Sequence, residues 1–536
     1  MRRHTAIITA IVTVAVIVLI AVTALLTGEQ DPDEQAQPPP PEPEPVTRLV
    51  AGLVGHPGHL DPHTNTEVHG RIVLEQVYDT LVRPGPQLRI QPALARDWEV
   101  SDDQRTWTFH LRDDVSFHDG ATLTADDVVA SLERVRDRGS ESLRLDVVED
   151  LSAPDDATVA IELRHPAADL PARLASSPRL GVVPAAAIEA EEVDAPLPGT
   201  GPFRPTRAPD DHGTVVLERF EDAWEQAPLV DRLDVIVVGG RRAGLAHLQA
   251  GEIHWLASLV EQDLEDAEAD EALALGRVAG LDHWHLTLDT RQAPFDDVDV
   301  RRALGMALDR GAIADAVRPG AATVNQTAIP PGSWWHHDHA PFDHDPEAAR
   351  AVLEDAGHDP LEFDLLATEE APQSVAIAEE VADQLAEIDV EVTVRTAALE
   401  DLLSEIAAGE FDAYALGWSG GLDPDEVYWP THHSDGERNY HGLADEETDE
   451  LLEAAREEPD DQARAELYVQ ATERIVGQAG QLFLFNPDLL QAWSADLTGV
   501  ALRADGLVRF DTVDIDGPPA ADVPVPDDPD ADADTG

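Results

Sequence analysis

The sequence predicts a mixed α/β protein in which open sheets are covered by helices. Short segments with the two-residue period of a strand alternate with segments of helical period along the whole body, and no internal repeat is seen. Hydrophobic residues make up 43% and charged residues 27% of the 536 residues. This composition is typical of globular proteins, and the length predicts three to four domains or fewer large ones.

In the first half of the body, two strands and one helix carry clear signals. Residues 106–111 (TWTFHL) alternate with a period of two, and residues 233–238 (LDVIVV) are typical of a buried strand. Thr124 is a candidate N-cap, because Asp126 and Asp127 then fall in the first turn of the following helix, near the positive end of its dipole.

In the second half of the body, the sequence predicts where several helices begin and end. Asp345 can cap a helix that has Pro346 at its first position and Gly357 after its end. Val300, Leu304 and nearby apolar residues recur at helical spacing. Further helices are predicted at 381–388, 451–456 and 467–476, and strands at 390–394, 411–417 and 482–485.

The first 29 residues are predicted to be a transmembrane anchor. The segment from Ala6 to Leu26 has 21 uncharged residues, about enough to cross a bilayer as a helix. Arginines precede it and acidic residues follow it, which places the N-terminus in the cytoplasm and the remaining chain outside. The alternative is a signal peptide with a cleavage site at Val22-x-Ala24, which would make the protein secreted.

Two further segments lie outside the predicted folded body. Residues 30–47 are rich in proline and glutamate, with four consecutive prolines at 38–41, and they predict a semi-rigid spacer. Residues 516–536 are rich in aspartate, proline and alanine, which predicts a disordered acidic tail.

The charge balance and the absence of cysteine exclude several functions. The chain has 107 acidic and 36 basic residues, a net charge of −71, and no lysine. Nucleic-acid binding through a basic surface is excluded, and the charge argues against docking on anionic lipid, because both need positive charge. Without cysteine there is no disulfide, thiolate metal site, lipobox or cysteine nucleophile.

A series of motifs covers nearly the whole body, from about residue 48 to residue 510. In order, they are Leu60-Asp61-Pro62, EQVYDTL at 75–81, PALARDWEVS at 92–101, TWTFHLRDDVSFHDG at 106–120, TADDVVASLERV at 124–135, GTGPF at 199–203, GEI at 251–253, VRRALGMALDR at 300–310, DPE at 345–347, and Gly417-Trp418 with Asp423-Pro424. Their order and spacing resemble the family 5 extracytoplasmic solute-binding proteins of ABC importers, which include oligopeptide, dipeptide and nickel binders.

The resemblance implies a two-lobed clamp of the periplasmic-binding-protein-like II type (cluster C), with an extra subdomain inserted in the first lobe. By analogy, the core of lobe I takes residues 48–82, 196–287 and 483–515, the inserted subdomain takes 83–195, and lobe II takes 288–482. The implied function is binding of a small solute, peptide-like by family frequency, and its delivery to an ABC permease and its ATPase. The implied protein is a monomer without cofactor, resident metal or catalytic residue.

The resemblance places one cleft-lining loop at residues 417–424. It makes Gly417, Trp418, Ser419 and Asp423 candidate ligand contacts. In peptide binders of the family this loop carries an aspartate that binds the free amine of the peptide. Here Gly421 stands at that position and the loop is one residue shorter. Ordinary free-amine dipeptides are therefore expected to bind poorly, and Gly421→Asp to improve their binding.

The resemblance nominates further cleft contacts elsewhere in the chain. They are His63 and Asn65 after the first motif, Trp255 after the Gly251-Glu252 motif, and Arg438, Asn439 and Tyr440 before a predicted helix. Arg438 is a candidate partner for a ligand carboxylate.

Alternatives from other functional classes remain open at this point. Histidine runs at 336–339 and 432–433, with His56, His59 and His63, make a bound metal chelate one alternative, beside an oligosaccharide on the same fold. A sensory binding protein is another, although no output domain follows the body.

An enzyme is the remaining alternative. Residues 417–421 match the G-x-S-x-G pattern of serine hydrolases, with Ser419 as nucleophile. Against it, residues 422–425 read as a turn rather than a helix, and no histidine follows His441.

Overall fold

The computed structural model describes residues 47–138, 143–190, 196–358 and 360–515. The predicted anchor, the predicted spacer up to residue 46 and the predicted tail lie outside the described residues. Within the described ranges, no helix combines the length and the apolar character needed to cross a membrane.

Twenty strands form the sheets of the described body. They are β1 Arg48–Leu53, β2 Val82–Pro84, β3 Ile90–Pro92, β4 Ala95–Val100, β5 Thr106–Leu111, β6 Val148–Asp155, β7 Thr158–Leu163, β8 Phe203–Pro205, β9 Val215–Arg219, β10 Arg232–Val237, β11 Trp255–Leu256, β12 Leu273–Ala279, β13 His283–Leu288, β14 Ala322–Val324, β15 Leu361–Thr368, β16 Val390–Ala397, β17 Ala413–Trp418, β18 Gln481–Ser494, β19 Leu497–Thr498 and β20 Asp514–Ile515.

Fourteen α-helices are described with them. They are Gly70–Val77, Ala125–Asp137, Leu170–Ala175, Ala185–Glu189, Arg241–Gln249, Leu264–Glu268, Val298–Ala307, Arg310–Val317, Pro346–Ala356, Pro372–Ala386, Leu399–Ala408, Asp425–His432, Glu446–Glu457 and Asp461–Gln478. The predicted caps are confirmed: Thr124 and Asp127 form a capping box, and the Asp345 side chain accepts a hydrogen bond from the Ala348 amide. Gly357 ends its helix at a φ of 79°, a conformation that favours glycine.

The strands form several sheets, as the sequence predicts, and the largest of them is continuous. Its strand order is β16-β15-β17-β13-β18-β11-β1-β10-β9-β8, and β12 and β14 also pair with β18. The 14-residue β18 makes this possible, because its first part pairs with β13 and its last part with β11 and β12. We call the strands from β11 to β8 the β1 side of this sheet and those from β13 to β16 the β13 side.

A second sheet has the antiparallel order β4-β5-β7-β6. The helix Ala125–Asp137 packs on β6 and β7, and the apolar side chains beneath it form a core of their own. Leu422, from the loop after β17, also belongs to this core. The loop that the motifs nominate is therefore held between the four-stranded sheet and the β13 side.

Candidate functional site

A cavity of about 1230 Å³ lies where the two sides of the large sheet meet at β18. The β1 side contributes the loop and helix start at 66–72 and residues 257–261, and the β13 side contributes the loop at 416–422. Residues 487–491 of β18 form the floor between them. The cavity exceeds the usual range of small-molecule pockets, about 300–1,000 Å³, so it can enclose a ligand of several residues.

The loop at 417–422 approaches its neighbours so closely that glycine is required. A Cβ on Gly417 would lie 2.9 Å from the ring of Trp284, and one on Gly420 would lie 2.1 Å from the carbonyl oxygen of Leu281. Trp284 and Trp418 both line the cavity. The two glycines thus let the loop lie flat against the start of β13, with aromatic rings on either side.

Asp282, just before β13, lies near Ser419 and Gly420 of the loop. Enclosure by the cavity walls raises the pKa of Asp282, and the neighbouring Ser419 hydroxyl, the Gly420 amide and the positive charge of Arg71 lower it in part. Asp282 and Ser419 both line the cavity, so Asp282 presents a carboxylate to whatever the cavity holds.

Arginines line the wall on the β1 side. Arg71, in the first turn of the helix Gly70–Val77, lies there with Arg179 and Arg241. Burial and the neighbouring charge of Arg71 lower the pKa of Arg179, so these two guanidinium groups are close enough to repel each other. Arg318 also reaches the cavity, but it pairs with Glu261 at 2.6 Å.

Glu426 is a half-buried carboxylate next to the loop. Its Oε1 accepts hydrogen bonds from the amides of Leu422 and Asp423, at 3.1 and 3.3 Å. Burial raises the pKa of Glu426 to about 7. A Cβ on Gly421 would lie 2.6 Å from Cδ of Glu426. An aspartate at position 421 would therefore displace Glu426. The sequence alone gave no sign of this contact when it predicted that Gly421→Asp improves binding.

Of the candidate contacts, Gly417, Trp418 and Ser419 line the cavity together. Asp423 does not, because it is buried in an ion pair in which Arg464 Nη2 lies 2.7 Å from its Oδ1. Its other polar contact caps the next helix through the Asp425 amide. The structure thus places Asp423 in the interior, paired with Arg464.

Trp255, His63 and Asn65 lie behind the cavity wall. Trp255 is fully buried, packs edge-on against Phe510 at 5.2 Å, and donates its indole N–H to Gln491, which lines the cavity. The ring of His63 contacts the Gly181 carbonyl at 2.9 Å, and burial lowers its pKa to about 4. Asn65 holds the lining segment in place by accepting the Glu67 amide at 2.8 Å.

The candidates at 438–440 also pack against the site from outside. The Arg438 guanidinium lies 5.3 Å from the centre of the Trp418 ring, a cation–π contact. Asn439 closes a turn by donating to the carbonyls of His433 and Leu443. Tyr440 packs on the apolar cluster around Tyr414 and Leu416. None of these three lines the cavity, so they support the loop that does.

The histidine runs do not converge on the cavity. His337, His339 and Glu473 form the one group of three described residues whose donor atoms lie within 4.8 Å of one another and could hold a metal ion. None of the three lines the cavity. His432 is buried beside His441, with ring nitrogens 3.1 Å apart, and His433 stacks on Trp429 at 3.8 Å.

Several lining residues had no signal in the sequence. Asp282, Trp284, Arg71, Arg179 and Glu426 come from segments that read as strand ends, loops or helix starts, and only packing brings them together. Val68 and Leu403 could have been noticed only as exposed apolar residues, with 74% and 37% of their surface accessible. Both line the cavity, from opposite sides of β18.

Comparison with known proteins gives concordant matches over most of the body. A model of the family described as bacterial extracellular solute-binding proteins, family 5 Middle, matches residues 89–439. The dipeptide-binding protein of Escherichia coli (strain K12) is 28% identical over 461 residues, covering 79% of this chain and 86% of that protein. Heme-binding protein A of Haemophilus influenzae (strain ATCC 51907 / DSM 11121 / KW20 / Rd) is 30% identical over 479 residues, covering 83% and 87%.

Among solved structures, HbpA2 from Haemophilus parasuis superposes with a TM-score of 0.82 at 26% identity. The match covers 87% of this chain and 99% of that one.

Proposed function

The chain belongs to the bacterial extracellular solute-binding proteins of family 5 and is a substrate-binding component of an ABC importer, and we propose that its solute is a peptide or a peptide-like molecule. The fold is the two-lobed α/β fold of periplasmic binding proteins. The family is made up of solute-binding proteins rather than enzymes.

The observation that carries the peptide proposal is the cavity itself. It is large enough for a ligand of several residues, and its walls combine tryptophan rings with charged groups of both signs, Arg71 on one side and Asp282 on the other. A peptide offers the matching set of side chains, ammonium and carboxylate. The dipeptide-binding relative named above supports the same class.

Binding by closure of the two lobes is part of the proposal. β18 is a continuous strand shared by both sides of the sheet, so it can act as the hinge between them. The exposed Val68 and Leu403 face the cavity from opposite sides. Closure over a solute would cover both side chains, and their burial would stabilise the closed form.

We retain the domain division 48–82, 196–287 and 483–515 for lobe I, 83–195 for its inserted subdomain and 288–482 for lobe II as a proposal. The separate four-stranded sheet and its own core support the inserted subdomain. The protein is extracytoplasmic, as its family is. That residues 1–29 tether it to the membrane, and that it acts as a monomer, remain part of the proposal.

Native mass spectrometry of the full-length chain, purified in mild detergent and high salt without refolding, tests the solute class. Retained masses that fit peptides would support the proposal. A retained sugar or metal chelate would contradict it and favour the alternative ligands. A bare protein that takes up no member of an added dipeptide mixture would also contradict it. The protein mass reports the tether, because 57.9 kDa corresponds to the uncleaved chain.

A further inference from the structure

Three side chains that can bind a metal ion meet outside the cavity, where the segment 333–344 packs on the helix Asp461–Gln478. His337, His339 and Glu473 have donor atoms that all lie within 4.8 Å of one another. Nε2 of His337 is 3.1 Å from Oε1 of Glu473. The rings of the two histidines stack at 12° from parallel, with centres 5.9 Å apart. Two imidazoles and one carboxylate therefore converge on one point of the surface.

The segment that carries the two histidines is anchored just before them. Trp335 is buried and packs edge-on against Tyr468 of the same helix, with ring centres 5.7 Å apart. Nδ1 of His336 lies 2.8 Å from the carbonyl oxygen of Ile329, so this histidine already has a partner. Because the anchor lies two residues before His337, the backbone at the histidines is held in place, and a ligand has little left to order.

Glu473 is paired with a histidine and not with an arginine. Among the described residues, no arginine forms an ion pair with it, and its contact is the one with His337. The next residue, Arg474, pairs instead with Glu447 at 2.6 Å. A neutral imidazole offers a nitrogen lone pair to a metal ion, whereas a guanidinium offers none. The pair of His337 and Glu473 can therefore become a pair of ligands.

We propose that His337, His339 and Glu473 bind one divalent transition-metal ion of the zinc type. Imidazole nitrogens and carboxylate oxygens are usual ligands of Zn²⁺, at about 2.0–2.2 Å, so the donors of a tetrahedral site lie about 3.4 Å apart. The separation between His337 and Glu473 is close to this value, and rotation of half-buried and exposed side chains brings in the third donor. Water takes the fourth position.

This site is separate from the solute cavity, because none of its three residues lines the cavity. The bound ion would link residues 337–339 to the helix Asp461–Gln478 and hold the segment on it. The net charge of −71 attracts cations of every kind to the surface. Selectivity comes from the two nitrogen ligands, since Mg²⁺ and Ca²⁺ prefer oxygen ligands. A test must therefore separate this site from the acidic surface.

The test uses the full-length protein in mild detergent and high salt, after bound metal has been removed with a chelator. Calorimetric titration with Zn²⁺ should show one tight site that excess Mg²⁺ does not displace. His337→Gln, His339→Gln and Glu473→Gln should each weaken it by about 10-fold or more, since losing even an outer-shell partner typically costs 10–100-fold in metal affinity.

The matched controls are His344→Gln and Glu466→Gln, at exposed positions of the same segment and the same helix. Both should bind Zn²⁺ as the unmodified protein does. Zinc affinities that are equal in the unmodified protein and in the three ligand variants would overturn the proposal. Displacement of the tight zinc by Mg²⁺ would overturn it too, because the ion would then be held by carboxylates of the surface.

Electron paramagnetic resonance with one equivalent of Cu²⁺ needs no variant, because copper accepts the same imidazole ligands. The spectrum should show coupling to two nitrogens, and a spectrum of oxygen ligands alone would contradict the proposal. Binding of a dipeptide mixture should be the same in the three ligand variants as in the unmodified protein. The metal site and the peptide-like function can therefore fail independently of each other.

Discussion

Two regions of the molecule hold clusters of charged side chains, and the side chains are paired differently in each. Where the four-stranded sheet region meets the helices after β17, buried carboxylates face arginines. These pairs are Asp423 with Arg464, Asp425 with Arg456 and Asp169 with Arg173, each with an N···O distance of 2.7 Å. In the cavity, Arg71 and Asp282 attract each other, but among the described residues neither forms a close ion pair.

The difference separates charges that are buried and paired within the fold from charges that face the open cavity. A buried ion pair whose members are also hydrogen-bonded offsets much of its desolvation, while an unpaired charge in the same place costs several kcal/mol. A chain can keep an unpaired charge only where water still reaches it, as in an open cavity. The predictions that follow test this distinction, starting with the largest effect.

Removing one partner from the buried pairs should have the greatest effect on stability. Arg464→Met leaves Asp423 charged and buried, and we expect the free energy of unfolding to fall by about 3–5 kcal/mol, measured from urea unfolding at pH 7. Arg204→Met removes an arginine whose ion pair with Glu218 is about half exposed on both sides, and it should cost no more than about 1 kcal/mol. If both variants lost a similar amount of unfolding free energy, the distinction between buried and exposed ion pairs would be contradicted.

Buried histidines should also make the protein less stable at acidic pH. Burial lowers the pKa of His283 and of His441 from 6.5 to about 4. The unfolded chain therefore binds a proton on each between pH 6.5 and 4 while the folded protein does not. Stability is complete above pH 6.5 and falls as the pH drops toward 4, by about 3 kcal/mol for each residue.

Melting temperatures between pH 7.5 and 4.5 measure this loss. His283→Phe should make the decline shallower, because the ring nitrogen Nδ1 of His283 has no hydrogen-bond partner to lose. His165→Gln, at an exposed position, should leave the pH dependence as it is. An unchanged slope in His283→Phe would show that this residue does not control acid sensitivity.

Replacing Glu426 should raise the free energy of unfolding, whereas replacing Arg464 should lower it. Its pKa is raised by burial from 4.5 to about 7, so its charged form destabilises the fold. The stabilising contribution of its proton is present below pH 4.5 and is lost as the pH rises through 7. Glu426→Gln keeps an oxygen for the amides of residues 422 and 423, and should raise the free energy of unfolding by up to about 3 kcal/mol at pH 8.5.

At pH 5 the same Glu426→Gln variant should differ little from the unmodified protein. Asp423→Asn is the contrast, since it breaks a pair with Arg464 and should destabilise at both pH values. A destabilised Glu426→Gln at pH 8.5 would mean that Glu426 is a paired structural charge.

The smallest effect concerns apolar groups. Val68 lines the cavity with 74% of its surface exposed, whereas Val324 is 47% exposed and does not line it. If closure covers Val68, Val68→Ser should weaken binding of the dipeptide mixture by about 1 kcal/mol, or about fivefold, and Val324→Ser should not change it. Equal dissociation constants for the two variants would contradict closure over Val68.

Local structure was largely predictable from the sequence, because its signals are local. The strand at residues 106–111, the capped helices after Thr124 and Asp345 and the strand at 390–394 are confirmed with boundaries within a few residues. The strand predicted at 482–485 was too short. The next three residues, Asn486, Pro487 and Asp488, have the composition of a turn. However, β14 pairs with Asn486 and Pro487, and β12 pairs with Asp488. Because of these pairings the strand continues to Ser494.

The candidate site shows the same difference between local signals and long-range contacts. Motif order was enough to nominate the loop at 417–419, because glycines and tryptophan there follow a family pattern. Asp423 was nominated on the same grounds, but its partner Arg464 lies 41 residues away and only the packed helices reveal it. Trp255 was nominated near a cleft motif, and the structure buries it behind Gln491.

By itself, the sequence determined the family, the local elements, the acidic surface and the absence of cysteine chemistry, since each depends on residue type, short-range spacing or motif order. Only the tertiary structure decided which charges are paired. The neighbours of Asp282, Arg71 and Asp423 come from distant segments, and pairing depends on distances of a few ångströms that chain order does not encode. The chemistry of the cavity follows from that pairing.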